Sequence, residues 1–87
     1  MTRILPLAAK AALATGAGNA TTVDNATVVR VLSTGGAAVV VRTDSDDNVI
    51  GSYTTLNNSA DLVEKNASDK IYVTGNAVEV SKVGFTN

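Results

Sequence analysis

The sequence predicts an all-β fold: a small antiparallel β-sandwich or barrel of about six to eight strands, carrying an extended N-terminal arm. Three observations predict it. Val, Thr and Ile, which suit a pleated and half-buried surface, recur in short runs. Gly, Asn and Asp clusters separate those runs at spacings of roughly 8–12 residues. Six such runs stand between Thr27 and Thr86.

From the N-terminus, residues 1–25 read as an arm and a link, and residues 26–87 as the sandwich domain. Pro6 stands at an allowed first helical position, but only Leu7 and Leu13 could anchor a helix there. An extended arm plus strand is therefore preferred. Gly16-Ala-Gly-Asn-Ala-Thr-Thr22 reads as a flexible link. Thr27–Ser33 is the first clear strand, Ser33-Thr-Gly-Gly36 a turn, and Ala37–Thr43 the second strand, the two predicted to pair as a hairpin. Asp44–Asn48 is the next turn, because Asp and Asn bond their own backbone. Val49–Thr54 follows as a short strand in which Gly51 suggests a bulge. Asn57-Asn58 leads into Ala60–Lys65, and Asn66–Asp69 into Lys70–Thr74. Gly75-Asn76 reads as a tight hairpin turn before Ala77–Thr86, where Val78, Val80 and Phe85 alternate imperfectly and Gly84 suggests a second bulge.

Eighty-seven residues make one domain. A chain this short buries only about 60–65% of its unfolded surface, so its core is thin. Disulfides, a metal or oligomerisation usually support such domains. The chain has no cysteine and no histidine, which removes disulfides, thiolate sites and the commonest metal ligand. Association with itself or with something larger is what remains. A secretion signal is not expected, since Lys10 interrupts the N-terminal apolar run after six residues. No stretch approaches the roughly 20 apolar residues of a membrane-spanning helix.

Charge points away from nucleic acid. Seven basic residues stand against eight acidic ones, the basic ones are scattered singly, and only Tyr53, Tyr72 and Phe85 could stack on bases. Catalysis has as little support. The carboxylates Asp24, Asp44, Asp46, Asp47, Asp61, Glu64, Asp69 and Glu79 fall mostly in turns, and no histidine is present to activate a Ser or Thr. Asp44-x-Asp46-x-Asn48 begins like a calcium loop, but Val49 stands where Gly is required and Thr55 where the bidentate Glu belongs. It reads as a solvated turn, with calcium held between neighbouring chains as the alternative. Four Asn-x-Ser/Thr matches, at Asn19, Asn25, Asn57 and Asn66, also read as turns. Tyr53 and Tyr72 could together make a sugar-stacking platform, although strand tyrosines are more often core-edge residues with a wet hydroxyl.

Several phrases resemble a known kind of protein. They are Leu5-Pro-Leu-Ala, Ala26-Thr-Val-Val-Arg-Val-Leu-Ser33, the Thr-Gly-Gly-Ala-Ala turn, Ile50-Gly-Ser-Tyr-Thr54, Asp61–Asp69 and the closing Val-Glu-Val-Ser-Lys-Val-Gly-Phe-Thr. In strand order and wording the chain resembles small β-sandwich virion structural proteins of tailed bacteriophages, of the marine and cyanophage type. That resemblance implies a non-enzymatic capsid decoration or cement protein. Such a protein binds the assembled head on its outer surface, often as a trimer, and resists the pressure of packaged DNA. Its expected partners are the major capsid protein or another virion protein, and further copies of itself, with no cofactor, nucleic acid or membrane. A neck, tail or fibre-attachment component is the alternative within the virion. A free carbohydrate-binding module is the alternative of another class. For the assembly reading, Ile4, Leu5, Leu7 and Leu13 are the candidate interface residues.

Overall fold

The computed structural model describes residues 3–86. Among these the chain forms eight strands and one turn of 3-10 helix. The strands are β1 (Arg3–Pro6), β2 (Ala11–Leu13), β3 (Val28–Ser33), β4 (Ala38–Thr43), β5 (Val49–Thr55), β6 (Ser59–Glu64), β7 (Lys70–Thr74) and β8 (Val78–Thr86). They make two antiparallel sheets: β1-β8-β3-β6, with β2 also on β8, and β5-β4-β7. The all-β sandwich is as expected, and the six strands read between residues 27 and 86 are all present.

Their pairing differs from the sequence reading. β3 pairs with β6 and β8, whereas β4 pairs with β5 and β7. The turn at residues 34–37 therefore crosses between sheets, and the predicted β3–β4 hairpin does not form. The Gly75-Asn76 turn likewise carries the chain from β7 in one sheet to β8 in the other. Gly36 and Gly75 do take positive φ, at 125° and 96°. Positive φ reverses a chain equally well within a sheet or across the roughly 10 Å between two sheets. The two crossings lie side by side and hold each other: Asn76 Nδ2 donates to the Ala37 carbonyl at 2.8 Å. A Cβ on Gly36 would stand 2.7 Å from that amide nitrogen. The one hairpin joining consecutive strands of the sandwich proper is β4–β5, at Asp44–Asn48.

The bulge expected at Gly51 falls where register shifts, since Arg42 faces Gly51 but Thr43 faces Val49. None occurs at Gly84, which pairs in unbroken register with Leu5. The irregularity lies across from it, in the arm. From Pro6↔Val83 to Ala11↔Val80 the arm advances five residues (11 − 6) and β8 only three (83 − 80). The side chain of Phe85 lies outside what the structure describes.

The core fills the space between the sheets with small side chains. Val29, Val31, Val78 and Val80 come from one sheet and Val40, Ile71 and Val73 from the other, closed by Leu13, Ala26 and Ala38. Burying each of these aliphatic side chains contributes roughly 1–2 kcal/mol, less for alanine.

Candidate functional site

The N-terminal arm is built into the sandwich. β1 and β2 pair along one edge of β8. The chain then crosses to the other sheet, where the Gly16 amide donates to the Val73 carbonyl at 2.8 Å. Thr21 and Ile71 exchange two backbone bonds, of 3.0 and 2.9 Å. A 3-10 turn at Ala17–Asn19 lies between these contacts, so the segment read as a flexible link is paired structure. The expected extended conformation of the arm is present. Pro6 is accommodated because β1 is an edge strand and its missing N–H removes no bond from a neighbour.

This placement divides the four candidate interface residues. Ile4, Leu5 and Leu7 are 45%, 45% and 51% exposed. Leu7 is anchored by its amide, which donates to the Lys82 carbonyl at 2.9 Å, and its side chain reaches over Gly84, within 3.4 Å of where a Cβ would stand. Leu13 is 4% exposed and belongs to the chain's own core. Strand periodicity gives the reason: its neighbours Ala12 and Ala14 are exposed while Leu13 alone points inward. Leu13 is therefore corrected from an interface residue to a packing residue. Against Leu13 lies a groove of 380 Å³, walled by small side chains such as Ala8 and Ala12 and rimmed by Asp24 and Lys82. Lys82 Nζ closes the rim by donating to the Asp24 carbonyl at 3.0 Å.

On the opposite side the sandwich gapes. β5 and β6 are the outer strands of the two sheets, and between them is a gap of 210 Å³ lined by Val40, Arg42, Gly51, Tyr53 and Val63. Gly51, inward-facing opposite Arg42, contributes no side chain to fill it. The Tyr53 hydroxyl is buried at this gap without a hydrogen-bond partner, as is the Thr55 hydroxyl farther along β5. Burial, reinforced by the neighbouring Asp61 carboxylate, pushes the Tyr53 phenol up to about 12.

The other candidate sites resolve into structural devices. The Asp44 carboxylate accepts the amides of Asp46 and Asn48, each at 2.9 Å, and the Asn48 side chain at 3.2 Å. The backbone bond from Asn48 is the leading cause of its lowered pKa. Both oxygens thus staple the turn, as the solvated-turn reading expected. Among the described residues no group of three or more acidic side chains is placed to hold a metal ion. Tyr53 pairs opposite Val40 and Tyr72 opposite Val41. Successive strand positions point to opposite faces, so the two rings share no platform.

One feature escaped the sequence reading. Lys65 is buried, and its ammonium donates to the carbonyls of Asn66, Ala67 and Asp69 at 3.2, 3.4 and 2.8 Å. Burial pushes its pKa below the usual lysine range, opposed by the charge of Asp69. Asp69, also buried, accepts the Asn66 amide at 3.1 Å. Lysine at a strand end carries no sequence signal for burial; only the curl of residues 66–69 around it creates the site. Searches against protein-family models, curated proteins and solved structures found no match to the chain.

Proposed function

We propose that this chain is a non-enzymatic structural component that docks onto a larger protein assembly through its N-terminal arm. One observation carries the reading: Ile4 and Leu5 on β1, and Leu7 just past its end, stand about half exposed on a segment that backbone bonds to β8 hold in place. Single exposed apolar residues need no explanation, but three within four positions, Ile4 on one face of the arm and Leu5 on the other, leave this edge of the sandwich apolar and open. A segment fixed by backbone pairing loses little conformational entropy on docking, so its burial converts more fully into affinity. The thin core and the turn-bound carboxylates favour association over chemistry.

The resemblance to small phage virion proteins makes the outer surface of a tailed-phage head the first assembly to test. When the chain is produced alongside the virion proteins of its own source, it is expected to cosediment with particles at a fixed copy number. Many copies per particle indicate the shell; a few indicate a neck, tail or fibre position. The double variant Leu5→Asp/Leu7→Asp should lose cosedimentation while keeping the circular dichroism spectrum and melting temperature of the parent. Undiminished cosedimentation by this folded variant would refute the arm as the docking element. Truncation through residue 15 is unsuitable for this purpose, because it also removes Leu13 from the core and β2 from the β8 edge.

A further inference from the structure

The two sheets have four outer edges among the described residues, and three of them are guarded. The β8 edge is covered by the arm, whose own outer side carries Pro6, the two extra residues before Ala11, and Lys10. The β7 edge is covered by the backbone at Gly16 and Thr21. The β6 edge carries Glu64 outward and Asp61 on its inward face, opposite Val31. Proline, bulges, lysine and inward-pointing charges are the devices by which natural sheets prevent a further strand from adding. β5 pairs only with β4. Its bulge is confined to the Val49–Ile50 end, leaving Gly51–Thr55 in regular register. From Asn48 to Ala60 there is no charged residue and no proline. Ile50 and Leu56, flanking that regular stretch, are 47% and 65% exposed.

We propose that β5 is a self-association edge, at which two copies of the chain pair their β5 strands antiparallel about a two-fold axis at Tyr53. An edge strand offers alternate N–H and C=O groups that only another extended backbone satisfies in register. The occupant is a second copy because the segment is compatible with itself. A strand that meets its own copy sets each of its charges near the same charge, and this one has none. Pairing about Tyr53 sets Ser52 opposite Thr54, a hydroxyl pair of the kind that supports cross-strand contacts. Just beyond the regular stretch it brings Ile50 of each copy near Leu56 of the other. The contact is isologous and closes at two copies. A contact one strand wide is small against the ~800 Å² per partner of a standard interface. The dimer is therefore weak in free solution and favoured where docking on an assembly raises local concentration.

This proposal stands apart from the arm, which lies on the far side of the sandwich. Sedimentation equilibrium of the full chain is expected to show a concentration-dependent monomer–dimer equilibrium. Thr54→Lys, an exposed substitution that supplies the missing edge charge, should weaken association at least about tenfold with the melting curve unchanged. Paired strand residues lie within disulfide reach, and the chain has no cysteine of its own. An equimolar mixture of the Ser52→Cys and Thr54→Cys chains should accordingly oxidise to a mixed dimer in excess over Ser52→Cys alone. A chain monomeric to about millimolar concentration, a dimer that persists in Thr54→Lys, or equal crosslinking of the mixture and the single variant would each overturn the proposal. A dimer lost instead in Leu5→Asp/Leu7→Asp would place the self-contact on the arm.

Discussion

A tyrosine hydroxyl buried without a partner, beside a carboxylate, is an unusual thing for a small core to contain. Tyr53 faces inward opposite Val40, and its pKa rises to about 12 because burial and Asp61 both disfavour the phenolate. An unfolded tyrosine ionises near pH 10. The folded state thus holds the proton more tightly, and this contribution to stability is full below about pH 10 and lost as pH rises to about 12. Denaturant titrations at pH 8 and pH 11.5 should show the parent losing more stability than Tyr53→Phe. The difference should be at most about 2 kcal/mol, because solvent at the half-open gap screens part of it. At neutral pH the same variant should match the parent or exceed it by a few tenths of a kcal/mol, since it removes an unpaired polar atom. Lys65 is the opposite case, a buried charge whose three carbonyl acceptors are all in place. Lys65→Met leaves those three carbonyls without their donor and removes the positive charge near Asp69, and is expected to cost about 2 kcal/mol. Thermal melting should register this as a fall of about 10 °C.

At the scale of the element, the arm changes meaning once it is seen paired. Ile4, Leu5 and Leu7, three of the four interface candidates, stand about half exposed on it. Leu13, in the same apolar run, lies in the core because a strand alternates its faces and β2 sets Leu13 opposite Val78, itself a core residue. Leu13→Ala is expected to cost about 2–4 kcal/mol, the range for a truncated core leucine, whereas Leu5→Ala should stay within about 0.5 kcal/mol of the parent, as surface substitutions do. Chemical denaturation of the two variants side by side checks both values. The strands themselves were legible because Val, Thr and Ile are bounded by turn residues, and the β4–β5 hairpin followed from its Asp-rich loop. The pairings of β3 and β8 were not legible. Turn residues announce where a chain reverses; they do not announce which sheet it enters.

For the whole molecule, the arrangement of edges decides which surfaces are left open. The arm closes one side of the sandwich by pairing first with β8 and then with β7, while the β5–β6 side is joined only through the short turn at residues 56–58. Two partly apolar edges result, the arm and β5, on opposite sides of a domain whose core is nearly all valine and alanine. With both proposed contacts made, the domain would dock by one side and pair with its copy through the other, an arrangement suited to covering a larger surface. By itself the sequence determined the all-β class, the positions of six strands, the absence of histidine and cysteine, and the apolar character of the arm. These follow from local propensity and composition, which need no knowledge of distant residues. Only the tertiary structure decided which strands share a sheet, that Leu13 faces the core, that Lys65 is buried, that Tyr53 and Tyr72 point apart, and that β5 is left open. Each of these depends on contacts between segments far apart in the chain, and the energy of those contacts is written at neither segment alone.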